Sequence, residues 1–160
     1  MIIMFGLFEK KEQKPAIALL VDGPNILRKA FNVDLHELKR EISKYGEIRF
    51  ARIYLDQYAS DKLIEAMVNQ GFETIITTGD VDVTMAIEAM EFVLMPEITT
   101  IALMTRDTDY IPVLRKAKAR GKKTMIIATD FAFSAALRNT ADDIIIFKGP
   151  GKIEKVSNTG

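Results

Sequence analysis

The sequence predicts a doubly wound α/β domain, in which a mainly parallel sheet carries helices on both faces. Six runs have the length of strands and are apolar throughout rather than alternating: residues 16–22, 48–56, 72–78, 99–105, 124–129 and 143–147. Strands of this kind need cover on both faces of the sheet. Regular alternation of such strands with helices gives parallel pairing through right-handed crossovers.

Helices are predicted between the strands because the intervening segments carry apolar residues at helical spacing. These segments are "LHELKREISKYG", "SDKLIEAMVNQG", "VTMAIEAMEFVLM", "YIPVLRKAKARG" and "FSAALRNTA". Gly46, Gly71 and Gly121 each stand just past a helix, where a C-cap in the left-handed conformation is expected. The Met-rich stripe of the third segment is predicted to face the core.

One domain over residues 15–148 is predicted, with tails at residues 1–14 and 149–160, because no linker or repeat divides the chain. The first tail begins with eight apolar residues, too few to span a bilayer. It also lacks the basic leader and cleavage site of a signal peptide. We expect this tail to dock on the domain or on a partner, with membrane-surface contact as the less favoured alternative.

Charge and cysteine content restrict the chemistry. Lys+Arg and Asp+Glu both total 22 in the 160 residues, so the net charge is zero and gives no argument for nucleic acid or membrane. The absence of cysteine excludes disulfides, thiol nucleophiles and cysteine zinc sites, and a cytoplasmic location suits such a chain. The single histidine, His36, is far in sequence from every predicted strand end. Any chemistry therefore falls to carboxylates and hydroxyls.

Aspartates mark the strand ends where a ligand is expected. Doubly wound sheets bind ligands outside the carboxyl ends of their strands, at the point where the winding reverses. The segments that follow the strands all contain aspartate: "DGPN" (22–25), "DQY" (56–58), "GDVD" (79–82), "RDTD" (106–109) and "DFAFS" (130–134). Each aspartate has an alternative role as a helix N-cap. Only one residue of the pair Asp107 and Asp109 is needed as a cap, however, and Asp80 can replace Asp82 in that role.

A cluster of four acids is the main candidate site: Asp22, Asp82, Asp107 and Asp109. Carboxylates gathered at one edge repel each other unless a cation lies between them. Oxygen ligands without histidine or cysteine favour Mg²⁺ or Mn²⁺. These ions serve phosphodiester chemistry. We rank Asp130 and Asp56 lower as ligands, and we place Asp142 and Asp143 at the opposite edge, because they precede their strand.

The motifs "LLVDGPNI", "GDVDVTMAIEAM", "IALMTRDTDYIPVLRKAKARGKKTMII" and "SAALRNTADDIIIF" together resemble the NYN domain. This family belongs to the PIN-like nuclease superfamily and includes the LabA-type proteins. The resemblance covers about residues 16–147. It implies a three-layer α/β/α PIN-like fold and a metal-dependent ribonuclease site.

The resemblance also implies roles for individual residues. Asp22 and Asn25 match the family's "DxxN", Asp82 matches the acid of its "VDV" motif, and Asp107 and Asp109 match its paired acids. Asp22, Asp82 and Asp107 would ligate the metal, and Asp109 would complete the site or position the attacking water.

The chain departs from the family pattern at three places. Thr105-Arg106 stands where the family has Ser-Gly, Tyr110 replaces phenylalanine, and Gly79-Asp80 stands where a lysine often precedes "VD". Glu88 stands where a second acid of the "VDV" helix is common, but six residues from Asp82 it lies off that helix face.

A ribonuclease acting on single-stranded RNA is the favoured function, with Asn25, Arg28 and Arg106 as the candidate substrate contacts. The basic run "RKAKARGKK" (115–123) is predicted to be a solvated helix end, roughly 15 Å or more from the acids at 1.5 Å per residue. The alternative is a non-catalytic module of the same fold that binds RNA or a protein. A receiver-like domain is disfavoured because "IIATDF" lacks the lysine it requires. A homodimer is compatible with these expectations.

Overall fold

The computed structural model describes residues 13–27, 34–130, 134–148 and 153–157. The strands are β1 (Ala16–Asp22), β2 (Glu47–Asp56), β3 (Glu73–Thr77), β4 (Thr100–Met104), β5 (Lys123–Ala128), β6 (Asp143–Phe147) and β7 (Ile153–Ser157). The helices are α1 (Gly23–Leu27), α2 (Leu35–Ile42), α3 (Asp61–Asn69), α4 (Val81–Leu94), α5 (Ile111–Ala119) and α6 (Ala135–Thr140). Short 3₁₀ turns at Ser43–Tyr45 and Thr108–Tyr110 follow α2 and precede α5.

All seven strands form one sheet in the order β3-β2-β1-β4-β5-β6-β7. The first six are parallel, and β1 pairs with both β2 and β4. The chain winds outward from β1 to β3 and then returns to the other side of β1 at β4. The winding therefore reverses between β1 and β4, and this is where a doubly wound sheet opens a ligand crevice.

The helices cover both faces, which confirms the three-layer α/β/α fold. Ala18 and Leu20 of β1 lie in a core beneath α4, α5 and α6. The alternate residues Ile17, Leu19 and Val21 lie in a second core beneath α1, α2 and α3. All these β1 side chains are fully buried, which explains the continuous apolar pattern, and burying each leucine contributes about 2 kcal/mol.

One strand was not predicted. Ile153–Ser157, which the sequence assigned to a C-terminal tail, forms β7 and pairs antiparallel with β6 at the sheet edge. Its "IEKVS" pattern is short and half polar, as edge strands often are, so it lacks the continuous apolar run of the inner strands. The predicted N-terminal tail lies largely outside the described residues.

Helix α4 is only half buried. Met85, Ala89 and Phe92 pack in the core, as the Met-rich pattern predicted, whereas Ile87 and Leu94 are exposed. The sequence overstated the burial of this helix because it is apolar on both faces. Within the described ranges, no helix combines the length and apolarity that a membrane span requires.

Candidate metal centre

Asp22 is the last residue of β1, at the switch point of the sheet. The chain turns directly into α1 through Gly23, where a Cβ would lie 2.4 Å from the Tyr54 carbonyl oxygen and 2.4 Å from Leu55 Cδ2. Only glycine allows this close approach to β2. The turn leaves the Asp22 carboxylate only 5% exposed at the lip of the sheet.

The Thr105 hydroxyl organises the first acid. It donates to Asp22 Oδ2 at 3.2 Å and accepts a hydrogen bond from Asn25 Nδ2 at 3.3 Å. It also accepts from the Asp107 backbone N–H at 3.1 Å. The Asn25 amide makes a second, longer contact with Asp22 Oδ2 at 3.5 Å. Thr105 thus joins the first sequence motif to the third.

Burial raises the pKa of Asp22 above its ordinary value. The hydrogen bonds from Thr105 and Asn25 act in the opposite direction but do not offset the burial, and the negative charge of Asp107 raises the pKa further. Asp22 is therefore a carboxylate whose charge its surroundings stabilise poorly. A cation beside it would remove this penalty.

Asp82, Asp107 and Asp109 each contribute one carboxylate oxygen to a group whose members lie within 4.8 Å of one another. Asp82 lies in the first turn of α4, while Asp107 and Asp109 come from the 3₁₀ turn that follows β4. Two oxygens on opposite sides of a Mg²⁺ ion are about 4.2 Å apart, since each bond is about 2.1 Å. The three carboxylates therefore fit a small divalent cation after slight adjustment.

Capping explains only part of this cluster. Asp107 Oδ1 accepts from the Asp109 backbone N–H at 2.9 Å and caps the turn. This bond involves one oxygen of Asp107, and neither side-chain oxygen of Asp109 takes part in it. At the start of α4, Asp80 occupies the cap position without a side-chain cap bond. Asp82 is the second residue of α4, so its carboxylate is not at the cap position.

Tyr110 adds a buried hydroxyl beside the acids. Among the described residues, no group lies in standard hydrogen-bonding geometry to this hydroxyl. Burial raises the pKa of Tyr110, and the negative charges of Asp22, Asp82 and Asp107 raise it further. Hydrogen bonding toward Asp22 acts in the same direction, so Asp22 is the acid that the hydroxyl faces.

The structure places all four predicted acids at the same edge of the sheet, but only three of them form the close group of oxygens. Asp82, Asp107 and Asp109 form the oxygen group, whereas Asp22 lies beside Asp107 and is held by Thr105. Arg106 lies at this rim and its guanidinium is 3.6 Å from Asp130 Oδ2. Arg28, the remaining predicted substrate contact, is outside the described residues.

Glu88 is not part of the group formed by Asp82, Asp107 and Asp109. Its carboxylate accepts a hydrogen bond from the Tyr54 hydroxyl and lies 3.3 Å from the Arg52 guanidinium. Arg52 in turn pairs with Glu73 at 2.7 Å and stands over the Phe92 ring at 4.9 Å. Sequence analysis did not predict this network, because Arg52 and Tyr54 lie inside a strand with no motif around them.

The basic run lies away from the acids, as predicted. Lys122 Nζ donates to the carbonyl oxygens of Met95 and Ile98, at 2.7 and 2.6 Å. Lys118 and Lys123 pair with Asp142 and Asp143 at the opposite edge of the sheet. These cations have structural partners there. His36 is exposed on α2, in agreement with a structural role.

The sheet order and the acid-lined switch point define a three-layer α/β/α protein with a PIN-like fold. The NYN domain family matches residues 16–148, and the chain belongs to that family. An uncharacterized protein of Methanocaldococcus jannaschii is 55% identical over 136 residues, which are 85% of this chain and 57% of that protein. The chain thus spans a little over half the length of this relative.

A solved structure shares the fold. The crystal structure of a protein of unknown function from Vibrio parahaemolyticus superposes with a TM-score of 0.72 at 23% identity. The match covers 83% of this chain and 93% of that one. At this identity the likeness concerns the fold.

Proposed function

We propose that this chain is an endoribonuclease that hydrolyses single-stranded RNA with Mg²⁺ or Mn²⁺. The observation that carries the proposal is the meeting of three carboxylate oxygens, from Asp82, Asp107 and Asp109, within 4.8 Å at the switch point. Membership of the NYN family supports the reaction class. The absence of cysteine and the single exposed histidine leave carboxylates as the available groups.

Asp82 and Asp107 would hold the ion in this proposal, and Asp22 would supply a further carboxylate beside Asp107. Such an ion lowers the pKa of bound water and neutralises charge on the reacting phosphate. Asp22 Oδ2 accepts from Thr105 and Asn25, so this carboxylate is held in place beside Asp107. Asp109 either completes the ligand set or orients the attacking water.

Tyr110 and Arg106 have supporting roles. The Tyr110 hydroxyl stays protonated because burial and the neighbouring acids raise its pKa. It thus remains a neutral group beside the acids and can donate to the Asp22 carboxylate. Arg106 provides a positive charge at the rim for the RNA backbone, held near the site through Asp130. Asn25 stiffens the Asp22–Thr105 pair and presents its amide to the same space.

Cleavage of a labelled single-stranded RNA in Mn²⁺, in Mg²⁺ and in EDTA tests this proposal. We expect cleavage with either ion, none in EDTA, and products with 5′-phosphate and 3′-hydroxyl ends. Attack by the RNA's own 2′-hydroxyl would instead leave cyclic phosphates, which end analysis distinguishes. Asp107→Asn should abolish cleavage, and Asp61→Asn, an exposed acid on α3, should leave it unchanged.

A binding module of the same fold is the alternative outcome. Tight binding of RNA without cleavage in any metal, by a protein that Mn²⁺ stabilises, would establish it. Cleavage that persists in EDTA would refute the metal-dependent mechanism.

A further inference from the structure

A second cavity opens at the carboxyl edge of β2, next to the acidic site. Its volume is about 380 Å³, which lies within the range of small-ligand pockets and exceeds the size of one nucleobase. Apolar walls come from Pro24, Leu55 and Leu63, while Asp56 and Tyr58 provide the polar and aromatic groups. None of these residues belongs to the acid cluster.

The cavity is close to the proposed metal centre. Pro24 lines it and is two residues from Asp22 in the tight turn through Gly23. Asp22 is paired with Tyr54 across β1 and β2, and Asp56 follows two residues later. With strands about 4.8 Å apart and a rise of about 3.3 Å per residue, the Cα atoms of Asp22 and Asp56 are roughly 8 Å apart. One nucleotide can therefore connect the cavity and the acids.

Tyr58 provides a stacking surface. It is 84% exposed, although it follows a strand and lines a cavity with mainly apolar walls. Proteins that bind single-stranded RNA hold splayed bases by stacking them on aromatic side chains of this kind. The backbone at Tyr58 is held in place, because its N–H donates to Asp56 Oδ1 at 2.9 Å.

Asp56 provides acceptors. A carboxylate has about four lone-pair sites and no donor, and the bond to the Tyr58 N–H is the one side-chain hydrogen bond of Asp56 among the described residues. Oδ2 thus remains open to a ligand. Guanine presents two adjacent N–H donors on its Watson–Crick edge, whereas the other bases place an acceptor next to a donor. An acceptor facing a carboxylate is repelled, so this wall discriminates among the bases.

We propose that this cavity binds a guanine base of the RNA, stacked on Tyr58 and hydrogen-bonded to Asp56, beside the scissile phosphate. The inference rests on the proposed ribonuclease function for its substrate class. It extends that function by naming a base preference and the residue that sets it.

Binding in EDTA tests the base site without cleavage. The probes are the labelled pentanucleotides UUGUU, UUAUU, UUCUU and UUUUU. The wild type should bind UUGUU about tenfold more tightly than the others. Asp56→Asn should abolish this preference, because one acceptor becomes a donor, while its Oδ1 still accepts the Tyr58 N–H and preserves the turn. Tyr58→Ala should weaken binding of every probe about tenfold, and Tyr58→Phe should not.

The matched control is Asp61→Asn, which removes an exposed charge on α3 and should keep the preference. Equal affinity of the wild type for all four probes, or an unchanged guanine preference in Asp56→Asn, would overturn the base site. Mapping the cleavage positions in a mixed-sequence RNA with Mn²⁺ distinguishes failure of the base site from failure of the nuclease activity. Cuts without guanine enrichment would refute the base site alone, while absence of cuts with intact guanine binding would refute the nuclease activity alone.

Discussion

The Thr105 hydroxyl donates a hydrogen bond to Asp22 across 83 residues of sequence, at 3.2 Å. This bond joins the carboxyl ends of β1 and β4, the two strands between which the winding of the sheet reverses. Because the Asp107 N–H donates to the same hydroxyl, Thr105 also links Asp22 to Asp107. Thr105 therefore organises the site by holding the carboxylate of Asp22.

Thr105→Val should destabilise the protein by about 1–3 kcal/mol, because it leaves the buried Asp22 carboxylate without its main donor. Valine keeps the shape of threonine, so the change isolates the hydroxyl. Thr105→Ser retains the hydroxyl and should recover most of the loss. Chemical denaturation of the three proteins measures the difference, and equal stability of the valine variant would contradict the role assigned to this bond.

Glu88→Gln should lower the free energy of unfolding by about 1–2 kcal/mol, because it weakens a partly buried charge pair with Arg52 and the bond from Tyr54. Its Mn²⁺ affinity should equal that of the wild type, since Glu88 is turned away from the acid cluster. Calorimetric titration measures the affinity. A tenfold loss would place Glu88 among the metal ligands instead.

Arg106→Ala should weaken RNA binding, whereas Lys122→Ala should leave it nearly unchanged. Lys122 donates to the Met95 and Ile98 carbonyl oxygens at the edge opposite the acids. Its loss should therefore reduce the stability of the protein rather than its affinity for RNA. Binding measured at several salt concentrations tests this, because each lost phosphate contact reduces the salt slope by about one. A lower slope for the lysine variant alone would reverse the assignment.

Asp142 should make stability depend on pH at the edge opposite the acids. Burial alone would raise the pKa of Asp142, but the hydrogen bonds from Thr124 and the charge of Lys118 outweigh it and lower the pKa. A depressed folded-state pKa gives stability above the unfolded value near 3.9, and this stability is lost as the pH falls through the folded value.

Asp142→Asn should accordingly be less stable than the wild type at pH 7, by up to about 1 kcal/mol because the site is partly exposed. The difference should shrink below about pH 4, where the wild-type carboxylate also becomes neutral. Thermal unfolding across this pH range measures it. A gap that stays constant down to pH 2.5 would mean that charge has no part in the effect.

The sequence predicted the fold and the location of the site for clear physical reasons. Continuous apolar strands require cover on two faces, and aspartates after parallel strands must meet at one edge. It could not show which acids approach most closely, because that depends on the turn after β4, where the Asp107 side chain caps Asp109. It also missed β7, whose polar residues resemble a loop, and the strand residue Tyr54, whose hydroxyl reaches Glu88 on α4.

Titration of Mn²⁺ into wild type and Asp107→Asn, followed by thermal unfolding, tests the metal centre most directly. The wild type should bind the ion and melt at a higher temperature, with about 2.7 kcal/mol of added stability at a hundred times the dissociation constant. Asp107→Asn keeps the capping acceptor, so without metal it should melt at the wild-type temperature or above, because repulsion among the acids is relieved. It should gain no stability from Mn²⁺. An equal Mn²⁺ response in both proteins would contradict a metal site built on Asp107.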